Sequence, residues 1–424
     1  MKRLKMDCFS TLLAAALLVT ATSAQAAVHR VYEGDSIQAV IDIAAPGDTI
    51  LVEPGLYKEM DNGRYGLRIS TDNLRLIGKV KKGKGKAGKV RLMANEEQKT
   101  GILAAPKGCE YDMNEGECKV ALELSEDESI PYVKDFYIRG FSVEEFPVNG
   151  IQTRWVDGFE FVRNESANNL NNGIYPTLSA NGLVRNNESY GSLDTAMWVA
   201  GSENVRVMGN ELHSSVIGFE ITVSNDVQVT HNEIYNNTVG VGLFHPNGAG
   251  NPPLDVMANW VIEHNDIYNN NLSPNPAPPG SFQADLPPGA GILALGVSDH
   301  VISKNNVEDH DFVGIAVLGW CTSVFGTGRD CQAPEDPLAP KGLNGSYNNL
   351  VAHNYLSGNG KGDSPPVGLE ILAGDIAYFH IADINPPFAF YEASGTGNCF
   401  KKNKPKSFSF FTSQPDTELP TDGC

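Results

Sequence analysis

The sequence predicts an all-β solenoid of about ten coils, each 22–24 residues long. A short phrase that begins with valine and ends in asparagine followed by an acid recurs along the chain. Its first four asparagines, spaced 23, 23 and 22 residues apart, are Asn164, Asn187, Asn210 and Asn232. A fixed period of this size is typical of repeat proteins, because one coil cannot bury its apolar face without a neighbour.

Later asparagines keep the same register at larger steps. Asn265, Asn305 and Asn354 follow at 33, 40 and 49 residues, and each step equals one coil plus an insertion. The insertions at 246–257, 270–288 and 320–346 are rich in Pro, Gly and Asn, so we expect long loops rather than further coils. Another loop is expected over 79–119, which begins with a basic, glycine-rich run.

Apolar residues align in the same register from one coil to the next. Ile151, Ile174, Met197 and Phe219 share one position of the coil, and the position two residues later is again mostly apolar. Such alternation places both rows on the inward face of a parallel sheet, with an outward row between them. A second strand of each coil ends three residues before the asparagine and supplies another inward row.

One helix is predicted near the start of the chain. Residues 36–42 begin with Ser36, a preferred N-cap residue, and continue with apolar side chains at helical spacing. Such a capping helix would cover the exposed strand edge of the first coil. An uncovered edge can pair with another chain, so the cap favours a monomer. We therefore expect a monomer with a solenoid domain over 27–400 and an irregular tail over 401–424.

Residues 1–26 have the pattern of a secretory signal peptide. Lys2, Arg3 and Lys5 precede an apolar run over 12–19, and the small-residue motif at 24–26 fits cleavage after Ala26. The apolar run is too short to span a bilayer, and no later stretch is long enough either. We expect a secreted or periplasmic protein without a membrane span.

The cysteines and the net charge fit an exported protein. The six cysteines beyond the signal form local pairs by spacing: Cys109 with Cys118, Cys321 with Cys331, and Cys399 with Cys424. Six cysteines allow 15 connectivities, and local disulfides are the simplest assignment. A formal net charge of −19 argues against nucleic acid as a partner, because such binding rests on clustered positive charge.

These patterns resemble the right-handed parallel β-helix superfamily, the pectin-lyase-like fold, over residues 28–400. The similarity is carried by Ser-Ile-Gln-Ala-Val-Ile at 36–41, Pro-Gly-Asp-Thr-Ile at 46–50 and Pro-Gly-Leu-Tyr at 54–57. The stretch Asn-Gly-Ile-Tyr-Pro at 172–176 and residues 275–293 are similar to exported bacterial β-helix-repeat proteins with no settled activity. The fingerprints of polygalacturonases, pectate lyases and mannuronan epimerases are absent, so the resemblance implies a fold and transfers no catalytic residue.

The outward row around Tyr175 and Trp198 is the candidate substrate-binding face. Two aromatic side chains one coil apart predict a flat platform on which sugar rings could stack. Gln152 lies in the same row, and Asn171 lies near the start of the Tyr175 coil. We expect all four residues to contact a polysaccharide or another extended glycan.

Candidate catalytic residues lie beside this platform. Glu220 continues the outward row, Asp194 precedes the next strand, and His245 begins an insertion along the same face. Two carboxyl groups and an imidazole on one face are what acid–base chemistry on a polysaccharide requires. The alternative is an ordinary solvent-exposed face with scattered polar residues.

The acid that follows each asparagine forms a second candidate site. The row consists of Glu165, Glu188, Glu211, Glu233 and Asp266. Stacked like charges repel, and solvent together with Arg163, His231, His264 and Lys304 could offset them. The alternative is calcium bound along the row, since carboxylates suit hard cations. The sequence indicates no other cofactor.

Two functions fit these observations. The first is polysaccharide binding or processing, by a lyase or a glycoside hydrolase, on an outward sheet face walled by the insertion loops. The second is a non-catalytic exported β-helix that serves as a glycan-binding or scaffold protein, similar to the repeat protein of nitrous-oxide reductase maturation. The long loops favour the first function, and the missing catalytic fingerprints favour the second.

Overall fold

The chain folds into a right-handed solenoid of three parallel sheets, which confirms the predicted fold class. The computed structural model describes residues 26–60, 62–81, 83, 85–107, 132–244, 257–319, 346–362, 372–378, 397–405, 409–412, 418–421 and 423–424. Each coil contributes one strand to each sheet, and neighbouring strands in a sheet come from successive coils. We name the sheets A, B and C, in the order in which a coil passes through them.

Sheet A has 12 strands. They are β1 (Val28–Val31), β2 (Thr49–Val52), β5 (Arg75–Gly78), β8 (Val133–Arg139), β11 (Val156–Val162), β14 (Ala180–Arg185), β17 (Glu203–Met208), β20 (Asn225–Thr230), β23 (Val261–Glu263), β26 (Val301–Ser303), β29 (Leu350–Ala352) and β32 (Cys399–Lys401).

Sheet B has 10 strands, most of three residues. They are β3 (Gly55–Tyr57), β6 (Val90–Met93), β9 (Phe141–Glu144), β12 (Glu165–Ala167), β15 (Glu188–Tyr190), β18 (Glu211–His213), β21 (Glu233–Tyr235), β24 (Asp266–Tyr268), β27 (Asn306–Glu308) and β30 (Tyr355–Ser357). The sequence analysis did not recognise this sheet, because strands of three residues are too short to show alternation.

Sheet C has 11 strands. They are β4 (Tyr65–Ile69), β7 (Thr100–Ala104), β10 (Ile151–Arg154), β13 (Ile174–Thr177), β16 (Thr195–Ala200), β19 (Ile217–Thr222), β22 (Val239–Phe244), β25 (Ala290–Leu295), β28 (Val313–Leu318), β31 (Gly374–Tyr378) and β33 (Phe410–Thr412). The predicted inward rows of this sheet are buried, including Ile151, Ile174, Met197 and Phe219.

The bend between sheets A and B is held by a buried ladder of asparagine side chains. Its members are Asn164, Asn187, Asn210, Asn232, Asn265, Asn305, Asn354 and Asn403. The Oδ1 atom of Asn305, for example, accepts hydrogen bonds from the backbone N–H and the Nδ2 of Asn265, both at 3.0 Å. The backbone groups freed at each bend are therefore paired although they are buried.

The other two bends carry polar ladders as well. Ser179, Ser202 and Ser224 link successive coils between sheets C and A. Between sheets B and C the ladder includes Asn270 and Asn359, with the imidazole of His310 between them at 3.1 and 2.8 Å. Burial lowers the pKa of His310 to about 4, so this ring is neutral at pH 7.

The N-terminal helix is present where it was predicted. Helix α1 spans Ile37–Ile43, and the Ser36 side chain accepts a hydrogen bond from the Ala39 N–H at 3.0 Å. Ile37 and Ile41 are buried in the main core, so the helix covers the first coil. Among the described residues, no helix has both the length and the apolar character needed to cross a membrane.

The C-terminal tail differs from the irregular segment that was expected. Asn403 extends the asparagine ladder by bonding to Asn354, and β33 pairs with β31 at the end of sheet C. The disulfide between Cys399 and Cys424 is present as predicted. The other two predicted disulfides, Cys109–Cys118 and Cys321–Cys331, lie outside the described residues, as do Ala24 and the rest of the signal-like segment before Ala26.

The insertion at 270–288 packs on the outward face of sheet C. Ala277 and Leu286 are buried in a second apolar cluster with Phe244, Leu293 and Leu295 of the sheet. The insertion includes a short 3-10 helix, Gln283–Asp285. It therefore covers part of the outward face, which the insertions were expected to wall. The insertions at 246–257 and 320–346 lie almost wholly outside the described residues.

We predict that the asparagine ladder dominates the stability of the solenoid. Replacing Asn305 with Ala removes its bonds to Asn265, Asn354 and the Ile262 carbonyl, and leaves buried polar groups without partners. This should lower the free energy of unfolding by about 2–4 kcal/mol. The neighbouring exposed Asn306 is the matched control, and its replacement should cost less than about 1 kcal/mol. Equal losses in urea denaturation would contradict this role for the ladder.

Candidate functional site

The outward face of sheet C changes character along the solenoid axis. One row passes through Gln152, Tyr175, Trp198, Glu220, Gly242, Leu293 and Ala316 on successive strands. The row is polar or aromatic up to Glu220 and apolar from Gly242 onward. The apolar half lies under the 270–288 insertion, so Glu220 stands at the border between the two halves.

The rings of Phe244 and Phe282 make an apolar contact at this border. Gly242 has no side chain, and a Cβ there would lie 2.5 Å from the Phe244 ring. The ring of Phe244 can therefore lie over the strand, where it meets Phe282 of the insertion edge to face at 5.4 Å. The result is an apolar wall next to Glu220.

Two predicted catalytic residues, Asp194 and Glu220, are linked through a threonine hydroxyl. The Oγ1 atom of Thr195 lies 2.6 Å from Glu220 Oε2 and 3.1 Å from Asp194 Oδ1. Glu220 is 4% exposed, Asp194 is 8% exposed, and Thr195 is fully buried. Two carboxyl groups thus share one hydroxyl at the edge of an apolar cluster.

This environment raises the pKa of both carboxyl groups. Burial raises the pKa of Asp194 to about 7, against hydrogen bonds from Thr195 and from Gln283 of the insertion that favour the ionised form. Burial, together with the charge of Asp194, holds the pKa of Glu220 well above its usual range. Because the two groups are coupled, they titrate as a pair, and the pair retains a proton near neutral pH.

The predicted aromatic platform has a different geometry from the one expected. Tyr175 and Trp198 stack face to face, with ring centroids 4.6 Å apart and planes inclined by 11°. Each ring covers one face of the other, so the pair offers ring edges rather than two adjacent flat surfaces. Tyr175 is 6% exposed and Trp198 is partly exposed, with its Nε1 donating to Thr222 Oγ1 at 3.0 Å.

The remaining predicted site residues are arranged as follows. The Oε1 atom of Gln152 accepts a hydrogen bond from Asn149 at 3.0 Å, one coil before Tyr175. Asn171 occupies the position of Asp194 in the preceding coil, and its backbone N–H bonds to the Val148 carbonyl. His245 lies outside the described residues.

Sequence reasoning missed Thr195 and Gln283. Thr195 takes a position held by Asn172 in the preceding coil and Ile217 in the next, so no recurring residue type marked it. Gln283 is 89 residues away from Asp194 and reaches it only because the insertion folds back onto the sheet. A contact of this kind has no local sequence signal.

The acidic row on sheet B is stacked in register, but the partners of its acids differ from those expected. Glu165 pairs with Lys89 and accepts a hydrogen bond from the Tyr190 hydroxyl at 3.0 Å. The hydroxyls of Tyr235 and Tyr268 donate to Glu211 and Glu233, respectively.

The four residues that had been expected to offset the row lie at the bend before each ladder asparagine. Arg163, His231, His264 and Lys304 all have a positive φ there, between 54° and 57°. Two of them, His264 and Lys304, lie against Glu263 instead of the acidic row, at 3.7 and 3.0 Å. The repulsion between the stacked acids is reduced by the hydrogen bonds that tyrosine hydroxyls donate to their carboxylates.

One group on this face could hold a metal ion. Among the described residues, Glu188, Glu211 and His213 bring one ligand atom each to within 4.8 Å of one another. His213 also lies between Tyr190 and Tyr235 in a stack with centroid distances of 5.0 Å. An imidazole among the ligands favours a transition metal over calcium, which was the alternative considered for this row, since calcium prefers oxygen ligands alone.

Comparison with solved structures shows the same architecture in proteins of low sequence identity. A variant of DFA-IIIase from Arthrobacter chlorophenolicus A6, solved with DFA-III, matches with a TM-score of 0.53 and 13% identity, over 92% of this chain and 86% of that chain. The chain has the right-handed parallel β-helix fold.

Two other β-helix proteins have comparable similarity. The Dettilon tailspike protein (gp208) matches with a TM-score of 0.52 and 13% identity, over 92% of this chain but only 61% of the tailspike chain. The A-module of the Azotobacter vinelandii mannuronan C-5 epimerase AlgE6 matches with a TM-score of 0.49 and 15% identity, over 91% of this chain and 95% of that module. At 13% identity the similarity to the tailspike protein establishes the fold alone.

A family model also matches part of this β-helix protein. Residues 118–278, less than half of the chain, match the family described as periplasmic copper-binding protein (NosD). No curated protein matches the sequence. The matched range contains both Asp194–Glu220 and the Glu188–Glu211–His213 group. Two carboxylates and one imidazole are suitable ligands for Cu(II) or for other divalent transition metals.

We predict a pH dependence of stability that originates in the carboxyl pair. Well below about pH 4 both groups are neutral in the folded and unfolded states. As the pH rises towards 7, the folded state keeps protons that the unfolded state has lost, so the free energy of unfolding falls. The slope is about 1.4 kcal/mol per pH unit for each proton retained.

The variant that tests this dependence is Asp194→Asn combined with Glu220→Gln. Urea denaturation from pH 4 to 8 should show the decline in the native protein and a weaker decline in the double variant. Glu160→Gln, on the exposed face of sheet A, is the control and should keep the native slope. A double variant with an unchanged slope would show that the pair ionises normally.

Proposed function

We propose that this β-helix protein binds and cleaves a polysaccharide at the polar half of the sheet C face. The observation that carries the proposal is the Asp194–Thr195–Glu220 arrangement beside Tyr175 and Trp198. A carboxyl pair that retains one proton near neutral pH contains both an acid and a base. Glycoside cleavage requires the same two groups at one bond.

The proposed reaction is hydrolysis of a neutral glycan. One carboxylic acid donates its proton to the glycosidic oxygen as the C–O bond breaks, and the other carboxylate attacks the sugar carbon, as expected for two carboxyl groups this close together. Water then hydrolyses the resulting ester and gives its proton to the first carboxylate. A net charge of −19 opposes the approach of a polyanion, which supports a neutral polymer over a uronate polymer. A lyase acting on uronates is the alternative reaction class.

Binding must expose the carboxyl pair. Asp194 and Glu220 are covered by the border of the 270–288 insertion, where Gln283 bonds to Asp194. A sugar that enters from the Gln152 side would contact the exposed edge of Trp198 first, and its hydroxyls could then replace the Gln283 bond. The signal-like N-terminus supports a periplasmic or secreted protein, where such polymers are found.

The test is a screen of the purified protein on neutral and acidic polysaccharides. We expect new reducing ends on at least one neutral polymer, without unsaturated uronate. Glu220→Gln and Asp194→Asn should each lower the rate by at least about 100-fold, because each removes one of the two reacting carboxyl groups. Glu160→Gln, on sheet A, should keep the native rate.

Polymer binding is measured separately from cleavage. Trp198→Ala should weaken affinity for the same polymer by about tenfold, as expected for the loss of an aromatic contact of 1–2 kcal/mol. Tyr235→Ala removes a ring from the stack on sheet B and serves as the matched control. Binding without cleavage in the native protein would contradict the enzymatic proposal.

The second candidate function is a non-catalytic periplasmic scaffold that holds a divalent metal on sheet B. The Glu188–Glu211–His213 group favours it, and the family match to a protein described as copper-binding covers these residues. A cavity of about 300 Å³ lies beside Glu188 and Glu211. In this function the three side chains would bind the ion, and the rest of the solenoid would hold them in position on the surface of sheet B.

The metal is tested by thermal denaturation with added Cu²⁺, Zn²⁺ or Ca²⁺. If this group binds copper, the melting temperature should rise with Cu²⁺, and His213→Phe should abolish the rise while keeping the aromatic stack. His231→Phe, in the stacked His231–His264 pair, is the matched control. A rise that persists in His213→Phe would exclude this group, and a response to Ca²⁺ alone would favour the calcium row.

A further inference from the structure

The hydroxyl of Thr195 faces two acceptors but has only one proton. Its Oγ1 atom lies 2.6 Å from Glu220 Oε2 and 3.1 Å from Asp194 Oδ1. An ionised carboxylate accepts hydrogen bonds and donates none. Both contacts can therefore be hydrogen bonds only when one of the two carboxyl groups carries a proton and donates it to Thr195.

We propose that Thr195 joins Asp194 and Glu220 into a unit that holds one proton and passes it between the two carboxyl groups. In one arrangement protonated Asp194 donates to Thr195 Oγ1, and Thr195 donates to ionised Glu220. In the other, protonated Glu220 donates to Thr195, and Thr195 donates to ionised Asp194. The exchange breaks one O–H bond at Thr195 and one at the acid, and it forms one at each proton acceptor, so the net charge stays constant.

The groups around the pair fit a single shared proton. The titratable neighbours are Tyr175 on the preceding coil and Arg154. Burial raises the pKa of Tyr175 to about 12, and the positive charge of Arg154 opposes this rise. From the insertion the contact is the uncharged Gln283, while Asp285 of the same 3-10 helix is exposed.

On the sheet, the described residues that follow Thr195 and Glu220 in register carry no charge. Ile217 follows Thr195 in register, and Gly242 follows Glu220. The charge of Asp194 raises the pKa of Glu220, so ionising both groups at once is unfavourable near neutral pH.

Thr195 is thus a positioning residue, and its catalytic meaning rests on the proposed function. The bridge keeps one carboxyl group protonated as the acid and the other ionised as the nucleophile, and it restores that pairing after each reaction without proton exchange with solvent. Removing the bridge should lower kcat more than it raises KM, because substrate contacts do not involve the buried hydroxyl. The proton sharing itself needs no substrate.

The test compares Thr195→Val, which keeps the shape but lacks the hydroxyl, with Thr195→Ser, which keeps the hydroxyl. Proton uptake is read from the pH dependence of urea denaturation. The singly protonated pair makes two hydrogen bonds through Thr195 and the fully ionised pair makes only one, so loss of the hydroxyl weakens the protonated state more. The midpoint, the pH at which the pair loses its last proton, should therefore fall by about 1–2 pH units in Thr195→Val, and a rise would show only a donor to one carboxylate. Thr195→Ser should keep the native midpoint. An unchanged midpoint in Thr195→Val, even with lower stability, would overturn the proposal.

A second variant keeps the inference testable if Thr195→Val does not fold. In Asp194→Asn the new amide can donate to Thr195, so Glu220 no longer needs a shared proton. This single variant should therefore let Glu220 lose its proton at a lower pH than in the native protein, although burial still raises its pKa. An unchanged proton loss by Glu220 would show two independent groups.

The two proposals fail in different ways. A lower midpoint in Thr195→Val, with no product from any polysaccharide in the native protein, would support the shared proton and refute the cleavage. If the native protein forms product, Thr195→Val lowers kcat and Thr195→Ser restores it, both the cleavage and the shared proton are supported. Product formation without a lower midpoint would support cleavage and refute the bridge.

Discussion

The structure depends on hydrogen bonding at the coil bends. A solenoid turns three times per coil, and each turn removes backbone groups from the sheet ladders while leaving them buried. The ladder that includes Asn210 and Asn305 supplies both a donor and an acceptor from each side chain, so the bond pattern repeats without a gap. His310 shows that another buried side chain can serve at a different bend when it provides the same donor–acceptor pair.

Because the bends and the inward rows hold the coils together, the outward faces are free to differ. Sheet B presents stacked acids and tyrosines, and part of sheet C lies under an apolar insertion. The proposed chemistry lies where the polar half of sheet C meets the half that the insertion covers. Glu220 lies beside the Phe244–Phe282 contact, and the low polarity there keeps a carboxyl group protonated at a pH at which an exposed one would be ionised.

Structural features that recur from coil to coil can be predicted from the sequence. The period of the asparagines, the inward rows and the N-cap at Ser36 were all visible, so the fold, the ladder and the first helix could be predicted. The three-residue strands of sheet B were not visible as strands, although an acid followed two residues later by tyrosine at 188–190, 233–235 and 266–268 was a usable signal. Thr195 could not be predicted because no residue type recurs at its position, and the Gln283 contact could not because it depends on how a non-repeating insertion folds back. The face-to-face packing of Tyr175 on Trp198 follows from the coil spacing and was missed.

The central claim is that a glycan binds at the border between the polar and the covered halves of sheet C. The most direct measurement is a crystal structure of the protein with an oligosaccharide, using Glu220→Gln to prevent cleavage. The account predicts a sugar against the exposed edge of Trp198, with a glycosidic oxygen within hydrogen-bond distance of Asp194 or residue 220 and Gln283 displaced. A sugar bound on sheet B, or elsewhere with the Gln283–Asp194 bond intact, would contradict it.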